Sequence, residues 1–186
     1  MFKITRNYTL HIRLKLQPSG TYNFNYHKTI FAMAPRRSWL SIPAASHFSL
    51  ANIPFGIITS KDSQTEKRPA VAIGDHVLDL KAFAAGNGFS ALPSFTDHLA
   101  VLFQPTLNAF AALGRPVHRQ VREYLQEILS DTTSHPDILK DNAELQKSAL
   151  LPKHETKTHL PMQIGDYTDF YAGLNHAFNL GYATPP

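Results

Sequence analysis

RPAVAIGDHVLDL, residues 68 to 80, decides the fold: two short apolar runs, PAVAI and HVLDL, meet at the pair Gly74-Asp75. A Gly-X pair between two such runs suits a two-residue type II′ hairpin, because glycine supplies the positive φ of the first turn position at no steric cost. Just before it, PFGIITS at 54 to 60 supplies a third extended run. Strand, loop, strand, turn, strand predicts a small antiparallel sheet or barrel.

Outward from that hairpin the pattern turns helical. Phe83 to Leu113 is mixed, with Gly86, Gly88 and Pro93 as breaks, and TLNAFAALG (106 to 114) reads as a short helix stopped by glycine. The clearest helix is RPVHRQVREYLQEILS, 115 to 130, where Val117, Val121, Tyr124, Leu125, Ile128 and Leu129 share one face. Pro116 sits in its first turn, where a missing N–H costs nothing. Arg119, Arg122, Glu123 and Glu127 line the wet side, and His118 is expected there as a solvated residue. The polar stretch from Asp131 to Lys147 predicts one more short helix around NAELQKSAL. LLPKHETKTHLP, 150 to 161, bracketed by Pro152 and Pro161, reads as an extended inter-domain linker. Internal repeats and low-complexity tracts are absent from the sequence.

With 186 residues, 43% hydrophobic and 17% charged, the chain reads as globular, with one ordinary domain's worth of core. The formal charge of +4 is unevenly placed. Residues 1 to 61 hold eight of the 18 Lys and Arg and none of the 14 acids, so the remainder is mildly acidic. That remainder offers no basic stripe with interleaved aromatics, which argues against a nucleic-acid partner. The absence of cysteine excludes a disulfide framework, thiolate metal sites and cysteine nucleophiles, and is compatible with a reducing compartment. No apolar run approaches the roughly 20 residues that cross a bilayer, so no membrane partner is expected. The expected location is cytoplasmic. Mitochondrial targeting by the acid-free, Arg- and Ser-bearing N-terminus is the weaker alternative, and a further one is that the true start is Met33.

Several motifs invite chemistry. HETKTH, 154 to 159, suggests a zinc helix, but that motif needs histidines at i and i+4. His154 and His159 are five apart and would point about 140° from each other on a helix. Asp166 and Asp169 suggest a calcium loop, yet an EF-hand counted from Asp166 would need Gly and Glu where Tyr171 and Ala177 stand. Asn7-Tyr8-Thr9 matches a glycosylation acceptor without a secretory signal to support it. In GDYTDFYAGLNH, 165 to 176, Asp169 and Tyr171 point to one side if TDFY is extended, and Ala172-Gly173 can turn His176 back toward them. A carboxylate, a phenol and an imidazole could then form a first shell for a hard metal ion, a substrate contact and a base near neutral pH. Alternatively, the aspartates cap local turns and His176 begins an amphipathic helix, HAFNLGY.

From about Ile53 to Gly181, the stretches NIPFGIITS, RPAVAIGDHVLDL, FQPTLNAFAALG, the helix after them and HLPMQIGDYTDFYAGLNHAFNLG occur in an order and spacing that resembles the fumarylacetoacetase family. The resemblance implies a mainly β fold with α: a small SH3-like barrel domain with helices, then the truncated start of a mixed β-roll catalytic domain. The implied boundaries are a basic extension, disordered or mis-assigned, at 1–40; the barrel domain at 41–152; a linker at 153–162; and the catalytic start at 163–186. The family hydrolyses 4-fumarylacetoacetate to fumarate and acetoacetate, the last step of phenylalanine and tyrosine breakdown, as a homodimer. By resemblance Asp169 matches the aspartate ligand to Ca2+ or Mg2+, Tyr171 a substrate-contacting tyrosine, and His176 the histidine that deprotonates the attacking water. The family's Glu-x-Glu ligands, further aspartate, lysine and arginine have no counterparts in the sequence, which reads GYATPP after the helix. The chain is therefore expected to be an N-terminal fragment, inactive alone. The competing expectation is a non-enzymatic interaction or assembly module built on the barrel.

Overall fold

The structure, a computed structural model, describes residues 36–166, 168 and 172–183. Phe55–Ser60 (β1), Ser63–Ile73 (β2) and His76–Asp79 (β3) pair antiparallel in chain order. Ile73 faces His76 across the two-residue turn, and Gly74 has φ +56° while Asp75 stays out of the left-handed region. This is the turn that the Gly-X pair predicts. A β-carbon at Gly74 would also stand 3.3 Å from both Ile42 Cγ1 and the Ser41 carbonyl, so space and φ both favour glycine.

Two further strands complete the sheet. Leu150–Pro152 (β4) pairs with β3, and Thr156–His159 (β5) pairs with β1, giving the order β4-β3-β2-β1-β5. The stretch 153–162, expected as a linker, is thus partly sheet. Its first residues, Lys153–Glu155, form a 3-10 turn that carries the chain from one edge strand to the other. The edges of a flat five-strand sheet would lie about 19 Å apart, whereas four residue steps reach at most about 14 Å even when extended. The sheet must therefore curl until its edges approach, although β4 and β5 do not pair. Backbone hydrogen bonds fix that closure: Lys153 N–H donates to Asp75 O (2.9 Å), and Lys61 N–H donates to Glu155 O (3.0 Å).

The curl explains why both faces of the sheet are buried. Ile58, Ala70 and Val77, with Leu151 packed against them, form a small separate cluster on one face. The other face, carrying Ile57, Val71, Ile73 and Leu78, packs with the helices into the main core. Leu80–Ala85 (α1) follows β3 directly, and a 3-10 segment spans Pro93–Phe103. Asn108–Ala112 (α2) and Gly114–Ile128 (α3) come next, separated by a break at Leu113 with Gly114 at φ +80°. Ala143–Ala149 (α4) is capped by Asn142, whose Oδ1 accepts the Leu145 N–H at 3.0 Å. Sheet plus helices make a mixed α/β architecture, compatible with the expected SH3-like barrel with helices.

Aromatic rings join the layers. Phe89 packs against Phe83 (5.0 Å between centroids), Phe95 (5.2 Å) and Tyr124 (5.7 Å), and Phe55 stacks on Phe110 at 5.3 Å. Burying each such ring contributes about 1.5–3 kcal/mol. On α3, Val121, Tyr124, Leu125, Ile128 and the following Leu129 are buried, as the periodicity predicts. The wet face of α3 is less free than expected. Arg122 donates to Ile53 O (3.1 Å) and Ala51 O (2.8 Å), and His118 Nε2 lies 2.8 Å from Phe110 O with its ring against Phe110.

The last residues of the expected 1–40 extension are built into the fold. Ser38 bridges to Ser130, Trp39 Nε1 donates to Ile128 O at 3.0 Å, and the Asp131 N–H donates to Arg37 O at 2.9 Å. All of the described residues fall in one compact unit.

Candidate functional site

The sequence places its candidate chemistry after the sheet. Asp169 and Tyr171 lie outside the described residues. His176 is described: it is an exposed residue in the first turn of Leu174–Ala183 (α5). The chain bends at Gly173, and the Ala177 N–H donates to the Gly173 carbonyl at 3.0 Å, which starts the helix. The helix that the local reading of HAFNLGY expected is therefore present. Among the described residues, no group of three or more His, Asp or Glu side chains is arranged to hold a metal ion.

The chain reaches this segment along a fixed path. After β5, the Pro161 carbonyl accepts the Leu107 N–H at 2.7 Å. The Asn108 side chain then clasps Gln163 from both directions: Nδ2 donates to the Gln163 carbonyl (3.1 Å), and Oδ1 accepts the Gln163 N–H (2.9 Å). The amide of Asn108 thus acts as a substitute strand partner at the start of α2.

HETKTH is a turn and a strand rather than a helix, so its two histidines do not share a helical face. His154 lies on the 3-10 turn, 3.8 Å from Glu155, while His159 ends β5 with Nε2 3.0 Å from Thr59 Oγ1. With Ser60, Lys61, Gln64 and Lys157 they line an open cleft of about 270 Å³. Glu155 also lies 3.5 Å from Lys61, and Thr59 is buried beneath. These groups answer one another, which makes the cleft a polar seam at the sheet closure.

A second charged cluster was not legible beforehand. Asp79 is buried at the junction of β3 and α1, where Oδ1 accepts the N–H groups of Lys81 (3.0 Å) and Ala82 (3.1 Å) as an N-cap. Its Oδ2 lies 2.8 Å from Arg68 Nε, although that N–H is not aimed along the line between them. Arg68 Nη2 donates to the buried Ser60 Oγ at 2.9 Å. Glu66 bridges Arg68 and Lys81 at the surface. Burial pushes the Asp79 carboxyl above its ordinary range, against the pull of the Ala82 amide and the Arg68 guanidinium. The hydrogen bond from Lys81 holds the exposed Glu66 carboxyl below its ordinary range. The cluster fixes the turn from sheet to helix. The one available signal was Asp79 directly ahead of Leu80, an N-cap residue type before an apolar run.

Together these features define a curled antiparallel sheet on a helical layer, followed by a tethered segment that leads into the His176 helix. The chain belongs to the fumarylacetoacetase N-terminal family, whose match covers residues 51–161. It is 66% identical over 144 residues to a fumarylacetoacetase of Emericella nidulans, covering 77% of this chain and 33% of that protein. A Caenorhabditis elegans fumarylacetoacetase is 41% identical over 145 residues, covering 78% and 33% of the two chains. The Homo sapiens fumarylacetoacetase is 37% identical over 144 residues, covering 77% and 33%. The chain thus spans about a third of the length of the curated relatives it matches.

Proposed function

We propose that this chain supplies the N-terminal region, and the first catalytic residues, of a fumarylacetoacetase: a hydrolase that cleaves a carbon–carbon bond of 4-fumarylacetoacetate to give fumarate and acetoacetate. The observation that carries the reading is the 66% identity to the Emericella nidulans enzyme. In this proposal His176 takes a proton from water, a task that an imidazole nitrogen can perform as a general base. The water oxygen then bonds to the substrate carbonyl carbon, the adjacent carbon–carbon bond breaks, and the departing carbanion takes up a proton. Tyr171 would contact the substrate. Asp169 would be one ligand of a calcium or magnesium ion that polarises substrate oxygens when bound, and the remaining ligands would have to come from other polypeptide.

One carboxylate cannot hold such an ion, so the 186-residue chain is inactive on its own in this reading. The working enzyme would be a cytoplasmic homodimer, as the family resemblance implies. The test compares the purified chain with a joined chain in which it is followed by the rest of the Emericella nidulans enzyme beyond the matched region. The isolated chain should show no metal-dependent hydrolysis of fumarylacetoacetate. The joined chain should turn over, and His176→Ala should slow it by about 10²–10⁴-fold. Turnover by the isolated chain would sink the inactivity, and a joined chain indifferent to His176→Ala would sink the assignment of the base.

A second reading, a non-enzymatic assembly module, draws support from the self-contained core, since the residues named in both hydrophobic clusters fall between Trp39 and Leu151. It predicts that the isolated chain binds a partner protein while the joined chain has no activity.

A further inference from the structure

Between β5 and α5 the chain holds three large apolar side chains in water: Leu160 is 73% exposed, Met162 40% and Ile164 72%. They fall at every second position of LPMQI, a run without a charged residue. A single exposed apolar residue is ordinary, but three within five residues form a patch of the kind that marks an interaction surface. This patch does not belong to a loose loop. The Pro161 carbonyl and both backbone groups of Gln163 are hydrogen-bonded to Leu107 and Asn108, so the backbone between the three side chains is pinned. Pinning the backbone lowers the entropy cost of docking, because the ridge is already in one conformation before a partner arrives.

We propose that Leu160, Met162 and Ile164 form a preorganised ridge onto which the polypeptide following the N-terminal region of fumarylacetoacetases packs, with Asn108 as the latch that presents it. The N-terminal family match ends at Pro161, inside the ridge, while the 144 residues aligned with the Emericella nidulans relative make up only 33% of its length. The ridge therefore stands where the family's N-terminal region hands over to the rest of its chain, and that remainder is the occupant. This rests on family membership and not on the proposed activity.

The test sets the same substitutions in two contexts. In the isolated chain, Leu160→Ser, Met162→Ser and Ile164→Ser together should change the melting temperature little, because Leu160 and Ile164 are mostly exposed and Met162 is partly so. Mixed with the separately purified remainder of the Emericella nidulans enzyme and followed by sedimentation velocity, the native chain should form a one-to-one complex. The triple variant should bind it at least about 30-fold more weakly, the scale expected for losing a central apolar cluster. Asn108→Ala should weaken the complex by a smaller factor, since it loosens the ridge without removing it. The joined chain covers a remainder that does not fold alone: there the triple variant should lower the melting temperature clearly more than it does in the isolated chain. Three results would overturn the inference: a triple variant that leaves both complex and joined chain unaffected, no complex together with an unaffected joined chain, or a native chain that pairs only with itself through the ridge. A joined chain that the ridge stabilises but that shows no hydrolysis would leave the ridge standing and remove the proposed activity instead.

Discussion

Tyr124 shows how one side chain couples helix packing to solution conditions. It lies buried on α3 against Phe89, and its hydroxyl donates to the Gly88 carbonyl at 2.6 Å. Burial pushes its phenol from an ordinary 10.0 up to about 12. The folded chain therefore keeps this proton where the unfolded chain has lost it. Its contribution is full below about pH 10 and is lost as pH rises through about 12. Urea unfolding from pH 7 to 11 should show that alkaline decline in the native chain. Tyr124→Phe should cost about 1 kcal/mol at pH 7 and remove most of the decline; an unchanged slope would remove Tyr124 as its source. Asp79 gives a second residue-level prediction, because one carboxylate both caps α1 and faces Arg68. Asp79→Ala should destabilise by about 2–3 kcal/mol in chemical denaturation, through the lost cap and the loss of the carboxylate beside the half-buried Arg68 guanidinium, which keeps Ser60 and Glu66 as partners. Asp79→Asn, which keeps an oxygen for the cap, should cost less, and equal losses would mean that the cap contributes nothing.

At the scale of elements, the strand pair and the long helix were legible because their signals are local. Gly74-Asp75 specifies its own turn, and the α3 periodicity specifies its own buried face. Residues 150–159 were misread because their role is non-local. A polar, proline-bracketed stretch reads as a linker until β1 and β3 are near enough to supply hydrogen-bond partners. His118 was misjudged for a similar reason, since its partner is the Phe110 carbonyl of the preceding helix rather than anything on α3. Limited trypsin digestion distinguishes strand from linker: Lys153 and Lys157 should resist cleavage in the folded chain, as residues of the closing turn and β5. Early cleavage after either would show that the sheet closure opens independently of the core. Helix α1 went unrecognised because it is only six residues long, too short for a period to register. Its N-cap at Asp79 was the sole local mark.

For the whole molecule, the expected metal dependence turns on how many ligands one polypeptide can gather. With Asp169 as the one ligand proposed from this chain, 1 mM Ca2+ should stabilise the isolated chain by no more than about 0.4 kcal/mol, the value at a free concentration equal to the dissociation constant. The melting temperature should then rise by less than about 2 °C, read by scanning calorimetry with and without the ion. A larger rise would mean that the chain builds a cation site of its own. No helix among the described residues is long and apolar enough to cross a membrane. The ridge at Leu160, Met162 and Ile164 belongs to this scale as well, since its exposure has meaning only beside the length of the relatives.

The sequence by itself determined the hairpin, the buried face of α3 and the family, through motifs whose order and spacing survive without coordinates. Those features depend on neighbours within a few residues, where periodicity and turn chemistry act. Only the tertiary structure decided that the edges of the sheet meet through a three-residue turn, that Arg68 and Asp79 share a buried junction, and that Asn108 holds Gln163 from 55 positions away. These depend on curvature and on contacts between distant parts of the chain, which no local pattern encodes.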